Sequence, residues 1–171
     1  ENISDSMELE IANYLNKVSE GRLSSESKLE IRGMLREVTE IESIGDSCYN
    51  LARTINRKRS GGNDFTEKQY EHIHQMMQLT NDALAHMIAV VEDDHHVVDV
   101  NKSFNIENEI NNYRAQLKNQ NVVDVNNKEY DYQMGVHYMD IIGECEKLGD
   151  YVVNVVEART NVKEKKTGDN R

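Results

Sequence analysis

The sequence predicts an all-α protein, an antiparallel helical bundle built on an internal repeat. Three observations carry this. Apolar residues recur at helical spacing along nearly the whole chain of 171 residues. The chain has no proline, so no ring interrupts a long helix. Two stretches near the N-terminus also have matching counterparts 99 and 104 residues further on.

The first helix is expected over about residues 5 to 20, with the apolar stripe Met7, Ile11, Tyr14 and Val18. Asp5 and Glu8 read as a capping box at its start, and Gly21 follows its end. The second is expected from Ser25, as N-cap, to about residue 59. Its stripe is Met34, Val38, Ile41, Gly45, Cys48, Ala52 and Ile55, with steps of four and three in alternation, as in a heptad seam. Arg57, Lys58 and Arg59 close the last turn, where cations suit the helix dipole. Ser60, Gly61, Gly62 and Asn63 read as a linker.

The third helix starts at a capping box of Thr66 and Gln69, with Phe65 and Tyr70 as the hydrophobic staple around it. Tyr70, Ile73, Met77, Thr80, Leu84, Met87 and Val91 carry it to about residue 92. The fourth covers about residues 99 to 119 with Ile106, Ile110, Tyr113 and Leu117. The fifth is expected from a capping box of Asn126 and Glu129, with Val125 and Tyr130 as staple, to about residue 162. Its stripe is Tyr138, Ile142, Cys145, Gly149, Val152 and Val156, and a lysine-rich tail follows.

The repeat pairs the first helix with the fourth and the second with the fifth. At a shift of 99, Met7, Ile11, Tyr14 and Val18 fall on Ile106, Ile110, Tyr113 and Leu117. At a shift of 104, Glu40, Glu42, Gly45, Asp46 and Asn50 fall on Glu144, Glu146, Gly149, Asp150 and Asn154. The five-residue difference reads as a longer loop in the second hairpin. Only the second hairpin is preceded by a further helix. We therefore expect three helices per unit, a first unit over 1–60 that lacks its leading helix and a complete second unit over 61–171 with a charged tail; the alternative is a true five-helix bundle with no missing part. A homodimeric contact is one way to fill the gap.

Composition excludes several function classes. Asp and Glu outnumber Lys and Arg by 31 to 20, a net charge of −11, which argues against a nucleic-acid grip. The longest apolar run, Met87 to Val91, is far short of the roughly 20 residues that span a bilayer. Cys48 and Cys145 lie on apolar stripes and make no disulfide framework, which suits a reduced compartment. No nucleophile elbow, phosphate-binding loop or dinucleotide fingerprint occurs, so the chain is expected not to be an enzyme.

The chemistry sits in the shared string E-x-E-x-x-G-D-x-x-x-N. Glu42 and Asp46 are one helical turn apart on one face, as are Glu146 and Asp150. Like charges at this spacing destabilise a bare helix by a few tenths of a kcal/mol, and a mid-helix glycine costs roughly 1 kcal/mol against alanine. A glycine admits a neighbouring helix closely, and a carboxylate pair beside it can share a hard cation.

At this string the chain resembles the PhoU domains, through Ile44-Gly45-Asp46-Ser47-Cys48-Tyr49-Asn50-Leu51-Ala52 and Leu148-Gly149-Asp150-Tyr151-Val152-Val153-Asn154-Val155-Val156. The resemblance implies two pseudo-symmetric three-helix bundles and a role in regulating phosphate uptake. It also implies iron or zinc at the carboxylates, with Glu42, Asp46, Glu146 and Asp150 as metal ligands and Glu40, Glu144, Asn50 and Asn154 in support. Asp82, in a row with His74 and Gln78, is a further candidate oxygen ligand. The non-Met start and absent leading helix resemble the cytosolic PhoU-like tail of bacterial sodium/phosphate cotransporters. That would place the chain at the cytoplasmic face, as part of a longer polypeptide whose membrane portion is its partner.

Two other readings stay open. One is a helical interaction module without metal. The other is a di-iron carboxylate protein, for which Glu71-x-x-His74 and Glu92-x-x-His95 supply the pattern but lie about six turns apart. Asp93, Asp94, His95 and His96 read as a solvated helix terminus, and His72 and His137 as surface or satisfied histidines. Arg57 to Arg59 and Lys163, Lys165 and Lys166 read as solvated basic clusters, with lipid headgroups as the alternative.

Overall fold

The computed structural model describes residues 2–60, 64–93 and 97–168, with the backbone alone for 60 and 161–168. Gly61, Gly62, Asn63, Asp94, His95 and His96 lie outside the described residues, as do the side chains of Lys163, Lys165 and Lys166. Five α-helices and no strand make up the described chain: α1 (Asn2–Ser19), α2 (Ser25–Ser60), α3 (Glu67–Glu92), α4 (Asn101–Asn126) and α5 (Tyr132–Gly168).

The local signals resolve unevenly. At α3, the Thr66 hydroxyl accepts from the Gln69 backbone N–H at 3.2 Å, and the Gln69 side chain accepts from that of Thr66 at 3.0 Å. The Phe65 and Tyr70 rings meet edge to face, 5.6 Å between centroids. The α1 box does not form, because α1 already begins at Asn2 and Asp5 sits inside its first turn. Ser24, not Ser25, caps α2, accepting from the Ser27 N–H at 3.1 Å. The Asn126–Glu129 box is also overturned. Helix α4 runs on to Asn126, and the N–H groups of Asn127, Lys128 and Glu129 bond its last carbonyls. Lys128 turns the chain with φ 62°. Asp131 then caps α5, accepting from the Met134 N–H at 2.7 Å. The extra residues of the second hairpin therefore lengthen α4, and its loop (127–131) is no longer than the first (20–24).

Helices α3, α4 and α5 pack on one another, α2 lies along α5, and among the described residues α1 contacts α2 alone. The α5 seam is buried as predicted, with Tyr138, Ile142, Cys145, Val152 and Val156 all inside. The α2 seam is not. Met34, Ile41, Cys48 and Ala52 are exposed; Ile55, at the end of the predicted stripe, packs against the core together with Ile44 and Leu51, and Ser47 and Thr54 are buried. The spacing of α2 was read correctly as helical; its buried face is rotated because α5 takes a different side of it.

The basic end of α2 also differs from a uniform surface cluster. The Lys58 ammonium is buried, pairs with Asp64 and stands 4.3 Å from the centre of the Phe65 ring. Lys58 and the Tyr70 hydroxyl hold the Asp64 carboxyl down at about 2.

Candidate metal centre

The first copy of the string brings three carboxylates together. Gly45 admits α1 closely: a Cβ there would stand 3.1 Å from the Ser4 hydroxyl oxygen. One turn along, the Thr39 hydroxyl donates to Glu8 at 2.8 Å and fixes the register of α1 against α2. Asp5, next to Ser4, then lies over Glu42 and Asp46. One carboxylate oxygen from each of Asp5, Glu42 and Asp46 lies within 4.8 Å of the others. Glu42 and Asp46 are half-buried and Asp5 is exposed. Burial pushes the Glu42 carboxyl up, and the charges of Asp46, Glu8 and Asp5 push it further.

Such a group suits a cation. Ions held by carboxylates sit about 2.0–2.6 Å from each oxygen, so three oxygens within 4.8 Å of one another can share one. An all-oxygen set favours a hard ion over the thiolate and imidazole sites that structural zinc prefers.

In the sequence Asp5 reads as a cap and not as a candidate ligand. The repeat could not reveal it, because its match is Phe104. Hairpin geometry could have: counting outward equally from the 20–24 turn places Asp5 level with about residue 39, one turn from Glu42.

The second copy is arranged differently. Gly149 admits α4, with Ile110 Cδ1 3.2 Å from where a Cβ would stand. But α4 delivers a cation: Arg114 Nε stands 3.5 Å from a Glu146 carboxylate oxygen. Burial pushes the Glu146 carboxyl up, Arg114 pulls it back, and Asp150 pushes up again. Burial also raises the Asp150 carboxyl against the pull of Arg114. Arg114 matches Leu15 in the first hairpin. Glu107 of α4 also pushes Glu146 up, but among the described residues no third carboxylate oxygen lies within 4.8 Å of both Glu146 and Asp150.

The supporting positions fasten α2 to α5. The Asn154 amide donates to Glu40 at 3.0 Å, and the Ser47 hydroxyl donates to Glu144 at 3.3 Å. Lys147 also holds Glu144, at 2.9 Å. Asn50 is exposed. Asp82 is exposed as well and accepts from Gln78 at 2.8 Å. The His74, Gln78, Asp82 row therefore faces solvent; α3 buries Ile73, Met76, Thr80, Ala83 and Met87 instead. His72 is satisfied, 2.9 Å from the Tyr138 hydroxyl, and burial lowers its pKa. Among the described residues no helix is long and apolar enough to cross a membrane.

The PhoU domain family model matches residues 73–158, half of the chain. The chain belongs to the PhoU domain family. That family is linked to regulation of phosphate homeostasis. The PhoU match runs from α3 into α5, so it takes in Glu146 and Asp150 and reaches Glu42 and Asp46 only through the repeat. No curated protein and no solved structure matches.

Proposed function

We propose that this PhoU-family chain is a non-enzymatic regulatory domain of phosphate transport that binds a metal ion between α1 and α2. The observation that carries the metal is the carboxylate group of Asp5, Glu42 and Asp46, drawn from two helices within 4.8 Å. A hard cation such as iron fits this set better than zinc, and it would neutralise the repulsion that raises the Glu42 carboxyl. Bound there, it supplies charge and a cross-link. The residues hold the N-terminal turn of α1 against the middle of α2, the one helix that α1 touches among the described residues.

The transport partner rests on the family and on the resemblance to transporter tails. We place the chain at the cytoplasmic face, as part of a longer polypeptide with a partial first unit over 1–60 and a complete second unit over 61–171. Its partner there is the membrane portion of a sodium/phosphate cotransporter.

Elemental analysis of protein prepared without chelator tests the metal. About one ion per chain is expected, lost on D5A/E42A/D46A and kept on E146A/D150A. Metal-free parent protein that is well folded would leave a helical interaction module in its place. Phosphate uptake by cells, with and without this domain on the transporter, tests the regulatory role: unchanged uptake at every phosphate concentration would refute it.

A further inference from the structure

At the end of α2 a cavity of about 540 Å³ opens between α2, α3 and α5. Pockets that take small molecules span roughly 300–1,000 Å³. The wall is largely aliphatic, with Ile55 from α2, Ile73 and Met77 from α3 and Ile141 from α5. The polar groups are Lys58 and Arg59 in the last turn of α2, Asp64 before α3, and Tyr70 and His74 one turn apart on α3. Burial works against the Lys58 charge, but hydrogen bonds to Asp64 and Tyr70 outweigh it and keep the ammonium protonated. Asp64 shows what this corner takes. Its carboxylate is held by the Lys58 ammonium, the Tyr70 hydroxyl and the Phe65 N–H, the last at 2.9 Å. Arg59 is exposed and makes no ion pair among the described residues. Lys58 and Arg59 against Asp64 leave the lining one positive charge in excess, in a chain of net charge −11.

We propose that this cavity binds a small monocarboxylate with an aliphatic body, of the chemical class of a medium-chain fatty acid. The chain lies against Ile55, Ile73, Met77 and Ile141, and the carboxylate is taken by Arg59 and His74. The body is aliphatic because the wall is, and because the Phe65 ring already has the Lys58 ammonium 4.3 Å from its centre instead of a free face for stacking. The flexible thioether of Met77 adapts to bodies of different shape. The head carries one charge because the lining has one to offset, and a second would stand unpaired near Asp64. A guanidinium holds a carboxylate through two parallel hydrogen bonds, which selects Arg59 as the main partner. A ligand seated there joins the end of α2, in the first hairpin, to α3 and α5 of the second unit. The site is separate from the carboxylates of Asp5, Glu42 and Asp46 and does not depend on metal.

Methyl NMR of the full chain, titrated with octanoate in the presence of chelator, tests this. One equivalent is expected to bind saturably below ~1 mM. It should shift the methyls of Ile73, Met77 and Ile141 and leave those of Met7 and Met34, which are exposed on α1 and α2, in place. Arg59→Glu should weaken binding by about tenfold or more, through loss of a charge-assisted hydrogen bond. Arg57→Glu makes the same charge change in the same turn, outside the cavity lining, and should weaken it by less than about twofold. An unchanged signal from the buried Ile142 methyl shows that each variant is folded, and Arg59→Ala replaces the glutamate if it is not. Octanamide, with the same body and no charge, should bind about tenfold more weakly. No shift at the three methyls up to ~10 mM octanoate, equal shifts at Met7 and Met34, or equal losses in the Arg57 and Arg59 variants overturns the site. Octanamide binding as tightly as octanoate overturns the anion, and octyl phosphate or inorganic phosphate binding more tightly than octanoate overturns the carboxylate.

Discussion

The two hairpins carry the same string and complete it with opposite charges. In the first, α1 sets Asp5 beside Glu42 and Asp46, and three carboxylates share one corner. In the second, α4 sets Arg114 beside Glu146. The glycine that lets the neighbouring helix approach is retained in both, at Gly45 and Gly149. A repeated motif thus preserves a backbone approach, while the helix that approaches decides the chemistry. One copy is left with uncompensated negative charge that a cation can relieve, and the other already holds its cation in a side chain.

The hairpins differ equally in cover, and the matched cysteine-bearing seams sharpen that contrast most. Cys48 is exposed, whereas Cys145 is buried and its thiol is pushed up to about 11. Under native conditions Cys145 should react with a thiol reagent at least about a hundredfold more slowly than Cys48, because it must wait for the bundle to open. Comparable rates would mean that the second hairpin is loosely packed.

The matched isoleucines come next. Ile110→Ala should cost about 3 kcal/mol in urea unfolding, as expected for a fully buried aliphatic side chain. Ile11→Ala should cost under about 1 kcal/mol in the monomer. An equal cost at both positions would show that the first face is covered in solution.

The carboxylates should then separate by the size of their effect. With chelator present, Glu42→Gln removes a like charge and should raise the melting temperature, by a few tenths of a kcal/mol of stability. Glu146→Gln removes a carboxylate that burial and Asp150 disfavour but also breaks the Arg114 pair, so it should raise the melting temperature less. An equal or larger rise at Glu146 would erase the proposed difference between the two copies.

The smallest effect is in pH dependence. Glu42 has a folded pKa above its ordinary value near 4.5, so in metal-free protein it favours folding at low pH and this contribution is lost as pH rises through the raised value. Asp64 is the reverse. Its contribution is present above about 3.8 and is lost as pH falls from there towards about 2. Comparing unfolding from pH 2 to 7 for Glu42→Gln and Asp64→Asn against the parent should give differences of opposite slope.

Much of the fold was legible because its signals are local or periodic. The Thr66 cap needs only residues within one turn, and the α5 stripe repeats often enough to define one face. The Asn126 box failed because the N–H groups of the residues just beyond it donate to the last carbonyls of α4, so an adequate cap signal lost to a better-satisfied helix end. At the site, Glu42 and Asp46 were legible through their spacing, and Asp5 was not, since it sits on another helix and has no counterpart in the repeat. Glu40, Glu144 and Asn154 were recognised as a pattern, but their use as fasteners between α2 and α5 depends on how those two helices cross.

By itself, then, the sequence determined that this chain makes five helices, that two hairpins repeat, and that glycines on each long helix admit a neighbour. These follow from hydrogen bonding within a turn and from the 3.6-residue period, both of which a linear string records. Tertiary structure alone decided which face of α2 is buried, which carboxylates meet, and which copy receives an arginine. An apolar stripe says that a face needs cover without saying what lies across from it, and the energy of a charged group depends on neighbours contributed by helices distant in sequence.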